Sequence, residues 1–423
     1  MKSVWLILEI FLICVGVCRA QESSSVLILE HANVFTGLAS SPQHDVAITM
    51  VKDRIANIQP SSEIRQTSES DRKIDLRGAW VLPGFIDAHV HVYDIQSAQR
   101  MLSDGVTTGR SMLTTGYEDI GLKALYSRGD KDLPEILAAG FPVVAHPNTF
   151  VPNISSLFLD NPDLDDLRPL ERIGVDGVRR VVDDNAKHHV DWIKVFANGR
   201  AGVLSAQPTD RDLNDQELEA AVREATALGI PAAVHGYSDD GVSAAVRAGV
   251  RTVEHGSLIT EPTIRLMKER GVCFTPTLSA FYALANPGAN GSPEDKALAV
   301  RVQTMIKGAR QAITIARKLG VAIIAGSDSL YGSEEDHTLI DEIVQLADAG
   351  LTPAEAIDAA TAKSAACLGI ERQKGSVRTG FDADLTVYQN DPTSDFHALR
   401  TPLMVITRGS IYLDRLSNNS KPQ

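Results

Sequence analysis

The chain has 423 residues, 43% of them hydrophobic and 22% charged, proportions that allow a large buried core and exclude both a single small domain and intrinsic disorder. Its 41 basic and 54 acidic side chains leave a formal net charge of −13, which repels phosphate backbones and excludes nucleic acid as a partner. Four cysteines are too few for a disulfide-dense scaffold.

Residues 1–20 place Lys2 before the apolar run Val4 to Val17 and end in Cys18-Arg19-Ala20, the layout of a secretory signal peptide. The run is too short to span a bilayer. The mature protein is therefore expected to be secreted or periplasmic, with no stable membrane association once the signal is removed. Cys14 and Cys18 leave with it, and the apolar surroundings of Cys273 and Cys367 predict buried free thiols. Asn153, Asn290 and Asn418 each open an Asn-X-Ser tripeptide, a glycosylation acceptor if the source is eukaryotic.

From residue 21 to 80 the pattern is short β runs and turns: Val26 to Leu29, Asp45 to Val51, Arg54 to Ile58 and Lys73 to Leu76. The same texture returns over 375–423, in Gly375 to Arg378, Ala383 to Tyr388 and Met404 to Leu413. Neither piece buries a good core alone, so the two are predicted to pair as one small composite β-sandwich.

Between them, residues 81–374 repeat a helix, a glycine and a short apolar strand. Gly105, Gly140, Gly229, Gly249, Gly271 and Gly320 are each read as a left-handed helix stop followed by a strand, and continuous apolar strands belong to a buried parallel sheet. With Trp80 to His91 and Asp191 to Ala197 added, eight strands are expected. The fold class is α/β, a (β/α)8 TIM barrel carrying the terminal sandwich; an open doubly wound sheet would need a Gly-rich phosphate turn that this chain lacks.

Side chains at the C-terminal ends of barrel strands face the active site. His89 and His91 end strand 1 at i and i+2, on one face, as two ligands of one metal require. Lys194 sits between Ile193 and Val195 on strand 4, where it must find solvent or a counter-ion, or else lose its charge to desolvation and become a reactive amine. His235 ends strand 5, His255 strand 6 and Asp328 strand 8. Converging at one mouth, four imidazoles, a carboxylate and an amine suit Zn²⁺ or a similar divalent ion.

Pro83-Gly-Phe-Ile-Asp-Ala-His-Val-His, Gly105-Val-Thr-Thr, Gly326-Ser-Asp328 and Gly380-Phe-Asp-Ala-Asp-Leu-Thr-Val resemble the metal-dependent amidohydrolase superfamily. Trp192-Ile-Lys194-Val-Phe-Ala-Asn-Gly and Gly350 to Thr361 look most like its branch of prolidases, imidazolonepropionase-like proteins and ochratoxinase. The resemblance implies two metal ions, most simply Zn²⁺. His89, His91 and Asp328 would hold one and His235 and His255 the other, with a CO₂-derived carbamate on Lys194 between them. It further implies a secreted hydrolase that cleaves a peptide, acyl-amino-acid or cyclic amide by a metal-bridging hydroxide, with Asp328 as the catalytic proton carrier and a small-molecule amide or peptide as substrate. Lactone or ester hydrolysis, or a mononuclear deaminase or decarboxylase, would use the same barrel. A catalytically silent binding protein would have no reason to keep all six residues.

Two departures bear on substrate. The His-X-His of many relatives is His235-Gly-Tyr237 here, and Val-Arg-Asp is Gly109-Arg110-Ser111. Tyr237 is thus a candidate for the pocket, and Arg110 for a substrate carboxylate or a structural ion pair. His146 and His337 are candidates for pocket walls. A homo-oligomer is left open.

Overall fold

The structure, a computed structural model, describes residues 26–36, 41–64, 68, 71–145, 174–286, 291–333 and 336–416. The predicted signal peptide, His146 and the residues Asn153, Asn290 and Asn418 lie outside them.

In chain order come β1 (Val26–Val34), β2 (Gln43–Val51), β3 (Arg54–Pro60), β4 (Arg72–Asp75) and β5 (Trp80–Pro83). Strands and helices then alternate: β6 (Phe85–Val90), α1 (Ile95–Ser103), β7 (Val106–Ser111), α2 (Glu118–Ser127), β8 (Glu135–Ala138), α3 (Gly174–Lys187) and β9 (Ile193–Phe196). The series continues with α4 (Asp215–Ala227), β10 (Ala232–Ser238), α5 (Asp239–Ala248), β11 (Thr252–Leu258), α6 (Glu261–Arg270) and β12 (Cys273–Thr275). Helices α7 (Leu278–Ala285), α8 (Pro293–Leu319), α9 (Leu339–Asp348), α10 (Pro353–Ala359) and α11 (Ala362–Leu368) follow, then β13 (Leu385–Tyr388), β14 (Met404–Thr407) and β15 (Ser410–Asp414).

Local chemistry sets the helix ends. Reciprocal capping boxes open α4 (Asn214, Glu217), α8 (Ser292, Asp295), α9 (Thr338, Asp341) and α10 (Thr352, Glu355). The expected glycine stops hold after α5, α6 and α8, where Gly249, Gly271 and Gly320 take positive φ. Gly140 differs. The residues before it, read as a helix end, form β8 on β7 in register Thr108 to Glu135, and the expected third strand over 141–145 makes one bridge, Val143 to Val195. A short apolar run does not itself tell a strand from a buried helix turn.

The terminal strands make one eight-stranded mixed sheet, in the order β15-β14-β13-β5-β1-β2-β3 with β4 also on β1. Leu29, Val34, Ile48, Val81, Leu385 and Ile406 meet in its apolar cluster. Gly375 to Arg378, expected as a strand, is not one. The expected strand from Trp80 to His91 divides at Gly84: β5 joins the terminal sheet and β6 begins a parallel one.

Strands β6, β7 and β8 form one parallel sheet, and β9, β10, β11 and β12 another. Bridges Val143 to Val195, Phe274 to Ile323 and Val90 to Ser329 join them. The expected eighth strand is an irregular segment, yet it is bonded on both flanks: Phe274 N–H donates to the Ala322 carbonyl at 2.8 Å and Ala88 N–H to the Ala325 carbonyl at 2.9 Å. Gly326 permits that approach, because a Cβ there would lie 2.6 Å from the His89 Cβ.

Cys273 and Cys367, expected as free thiols, are joined in a disulfide. The first opens β12 and the second lies near the end of α11, 94 residues on. Both belong to one apolar cluster with Ile86, Trp192 and Ile324, a proximity that sequence context does not carry.

Candidate functional site

All six side chains predicted to share a site line one cavity of about 620 Å³: His89, His91, Lys194, His235, His255 and Asp328. Their placement follows from strand periodicity. His89 is on β6 and His91 just past its end, while Lys194, His235 and His255 lie on β9, β10 and β11 with inward side chains. The rings of His89 and His91 are 5.4 Å apart, those of His89 and His255 5.1 Å, and those of His235 and His255 4.5 Å.

Asp328 stands among them. Its Oδ1 is 2.9 Å from His91 Nε2 and 3.2 Å from His89 Nε2, and its Oδ2 is 3.9 Å from His255 Nδ1. Ligand atoms of His89, His91 and Asp328 all lie within 4.8 Å of one another, as one ion requires. Lys194 Nζ approaches His89 Nε2 to 3.4 Å. His235 Nε2 is buried and has no hydrogen-bond partner among the described residues, an orphaned nitrogen whose lone pair, in the tautomer that leaves it free, a bound cation would satisfy. His255, Thr277 and Asp328 hold positive φ of 73°, 52° and 57°, a cluster of non-glycine left-handed backbone of the sort that collects at functional sites.

Burial dominates the electrostatics. It drives the Lys194 amine down to about 8, against the upward pull of Glu254 and Asp328. It drives His255 down to about 3 against the upward pull of Asp328, and His235 well below its usual range with His255 and Lys194 acting in the same direction. Burial alone would raise Asp328, but His89, His91 and His255 outweigh it and hold the carboxyl well below its ordinary value. The cluster thus presents His235 and His255 as neutral imidazoles, Asp328 as a carboxylate and Lys194 as a partly neutral amine, the protonation states that metal ligation demands.

A supporting layer went unread in the sequence. Glu254 accepts from His89 Nδ1 at 2.8 Å, which turns Nε2 of that ring toward the cavity. Thr277 Oγ1 sits 2.7 Å from His255 Nδ1. Asp87 takes the Ser327 N–H at 2.9 Å and its hydroxyl at 2.6 Å, bracing the backbone beside Asp328. Glu254 was findable by the reasoning that singled out Lys194, since a charge on an interior strand demands a partner.

Among the candidates for substrate contact, Tyr237 lines the cavity, and its hydroxyl accepts from Ala201 N–H at 3.3 Å. Arg110 does not reach it. Fully buried, its Nη2 donates to Glu254 at 2.8 Å, its Nε to the Ala88 carbonyl at 2.6 Å, and its guanidinium lies over the Trp192 ring. The structural ion pair holds and the substrate-carboxylate reading does not. His337 also stays out of the wall, with Nε2 3.1 Å from the Ser327 carbonyl. Tyr93, Glu118, Arg200, Phe281 and Leu330 are lining residues the sequence did not single out.

Residues 80–411 match the Amidohydrolase family. An uncharacterized protein of Mycobacterium tuberculosis is 30% identical over 352 residues, covering 79% of this chain and 86% of that one. Ochratoxinase of Aspergillus niger is 30% identical over 235 residues, 55% of this chain and 48% of the enzyme. Among solved structures, a Xaa-Pro dipeptidase with methionine in its active site superposes with a TM-score of 0.80 at 26% identity, covering 92% of this chain and all of that one.

Proposed function

This chain belongs to the amidohydrolase family, and from that premise we propose that it hydrolyses a peptide, acyl-amino-acid or cyclic amide bond with two divalent cations, Zn²⁺ by preference. The convergence of four imidazoles, Asp328 and Lys194 on one cavity carries this reading. His89, His91 and Asp328 would hold one ion and His235 and His255 the other, with Lys194, carboxylated on its neutral amine, between them. Such a pair supplies water that ionises near neutral pH and a Lewis acid for the substrate carbonyl.

The protein's own groups then have definite tasks. Asp328, ionised in the resting site, takes the proton of the attacking water on a carboxylate oxygen and returns it to the departing nitrogen. Glu254 fixes the His89 tautomer. Apolar walls from Leu113, Phe196, Phe281 and Leu330 shield the reacting carbonyl, while Glu118 and Arg200 offer charged contacts to a polar substrate end.

Three further readings accompany this one. The two parallel sheets with the 321–329 segment are the arcs of a closed (β/α)8 barrel over 81–374, a closure supported by the three bridges. Residues 21–80 and 375–423 make the composite β-sandwich, a pairing of the two ends of the chain supported by the single sheet that their described strands share. Export behind residues 1–20 is supported by the Cys273–Cys367 disulfide, a bond of oxidising compartments.

The test is to count metal per chain and to screen dipeptides, N-acyl amino acids, cyclic amides and lactones with and without a chelator. Two ions per chain and chelator-sensitive amide hydrolysis are expected; activity unchanged after complete metal removal would sink the mechanism. Asp328→Asn should lower kcat by about 10²-fold or more, with a much smaller change in KM.

A further inference from the structure

Part of the cavity wall is irregular backbone. The six converging side chains stand on strands, just past the end of β6 or on the tightly bonded 321–329 segment, whereas Arg200, Ala201, Gly202 and Val203 reach the cavity from a loop with neither helix nor strand. That loop is pinned where it leaves and rejoins the fold, by Gly199 N–H to the Asp210 carbonyl at 2.9 Å and by the bridge Asn198 to Arg211. Within it, three backbone turn bonds are found: Val203 N–H to the Arg200 carbonyl at 3.3 Å, Ala206 N–H to the Val203 carbonyl at 3.2 Å and Asp210 N–H to the Gln207 carbonyl at 3.0 Å.

A single side chain from elsewhere gathers four of the loop's carbonyls. Arg301, on α8, directs Nη1 to the carbonyls of Ala201 at 3.3 Å, Val203 at 2.9 Å and Ala206 at 2.9 Å, and Nη2 to that of Leu204 at 3.2 Å. Four acceptors within six residues thus converge on one guanidinium, whose planar fork and permanent charge make such bonds stronger than neutral ones. On the cavity side, the same stretch is tied by Ala201 N–H to the Tyr237 hydroxyl.

We infer that Arg301 is a positioning residue that latches the 200–206 loop against the cavity and thereby sets how tightly substrate is held. It touches neither substrate nor any of the six converging side chains. Its removal therefore frees the wall while leaving the reacting centre on its strands, and the loss falls on binding rather than on the chemical step. The kinetic part of this inference rests on the hydrolase reading; the mechanical part does not.

The experiment compares the full-length protein with Arg301→Met, which keeps the aliphatic stem and removes every donor, and with Arg301→Lys, whose compact ammonium serves fewer carbonyls at once. Hydrogen–deuterium exchange is read over residues 199–210 and over the strands, with metal content, melting temperature and kinetics on the best amide substrate of the screen. In Arg301→Met the loop amides should exchange about tenfold faster or more with the strands unchanged. KM should rise about tenfold, with kcat within about twofold and metal content equal to wild type. Arg301→Lys should fall between the two. Unchanged loop exchange overturns the latch, as does faster exchange throughout the molecule with a lowered melting temperature, which would mark a merely structural residue. A loosened loop with unchanged KM overturns its role in binding. If the wild type turns over no substrate, the hydrolase reading fails, and the exchange measurement still decides the latch.

Discussion

Glu254 shows how much of the site depends on a residue that faces away from the cavity. Its carboxylate accepts from Arg110 Nη2 and His89 Nδ1, each at 2.8 Å, and from the Thr252 hydroxyl. Burial works against its charge, but Arg110 and His89 outweigh burial and hold the carboxyl far below the usual range. It is therefore a fixed anion on which His89 leans. Glu254→Gln removes the charge that balances Arg110 and weakens the bond that sets the His89 tautomer. Loss of an outer partner of a metal-ligating histidine typically costs about 10 to 100-fold in metal affinity, so zinc affinity measured against a competing chelator should fall by that factor. Undiminished affinity in this variant would deny Glu254 any part in orienting His89.

Helix α7 brings Ala280, Phe281 and Leu284 to the cavity wall, and its N-terminus is capped from another helix. Thr277, the N-cap residue, makes no side-chain cap; instead Ser279 N–H donates to Glu342 on α9 at 2.7 Å. Burial pushes the Glu342 carboxyl up to about 8, the α7 amides pull it back, and Asp87 adds to the rise. Its other oxygen has no partner among the described residues. Because the folded value exceeds the ordinary 4.5, the native state binds the extra proton between about pH 4.5 and 8. Stability from this group is complete below that window and is lost as pH rises through it, by on the order of 5 kcal/mol. Glu342→Gln stays neutral and keeps an acceptor for Ser279, so its melting temperature should decline less than that of wild type from pH 5 to 9. Parallel declines would refute the assignment. At this scale the sequence was legible where the signal is local. The glycine stops at 249, 271 and 320 and the six polar residues on or beside apolar strands announce themselves within a few residues. β8 was misread because a short apolar run carries no period, and the partnership of Arg110 with Glu254 spans 144 positions, beyond any local pattern.

Across the whole molecule, the α11 corner joins the parts. The Cys273–Cys367 disulfide fastens β12 to α11, and Lys374, just beyond that helix, lies within 2.9 Å of Glu135 on β8, 3.1 Å of Asp382 and 2.5 Å of Asp384. A buried ammonium shared by carboxylates from the parallel and terminal sides ties the two sheets at one point, and the disulfide holds the helix that delivers it. Closing a loop of 94 residues removes unfolded-state entropy on the order of 4 kcal/mol in the chain-entropy model. The reduced protein, or the Cys273→Ala/Cys367→Ala variant, should accordingly melt several degrees lower while binding the same metal, because none of the six converging residues lies in the cross-link. If residues 1–20 are removed as proposed, the protein unfolded without reductant should titrate with no free thiol, since Cys14 and Cys18 fall within that segment. Two free thiols per mature chain would remove both the fastening and its support for export. A thiol-free protein secreted from a cell, beside the same chain made with free thiols and a lower melting temperature in a reducing cytosol, would bind compartment and stability into one physical account.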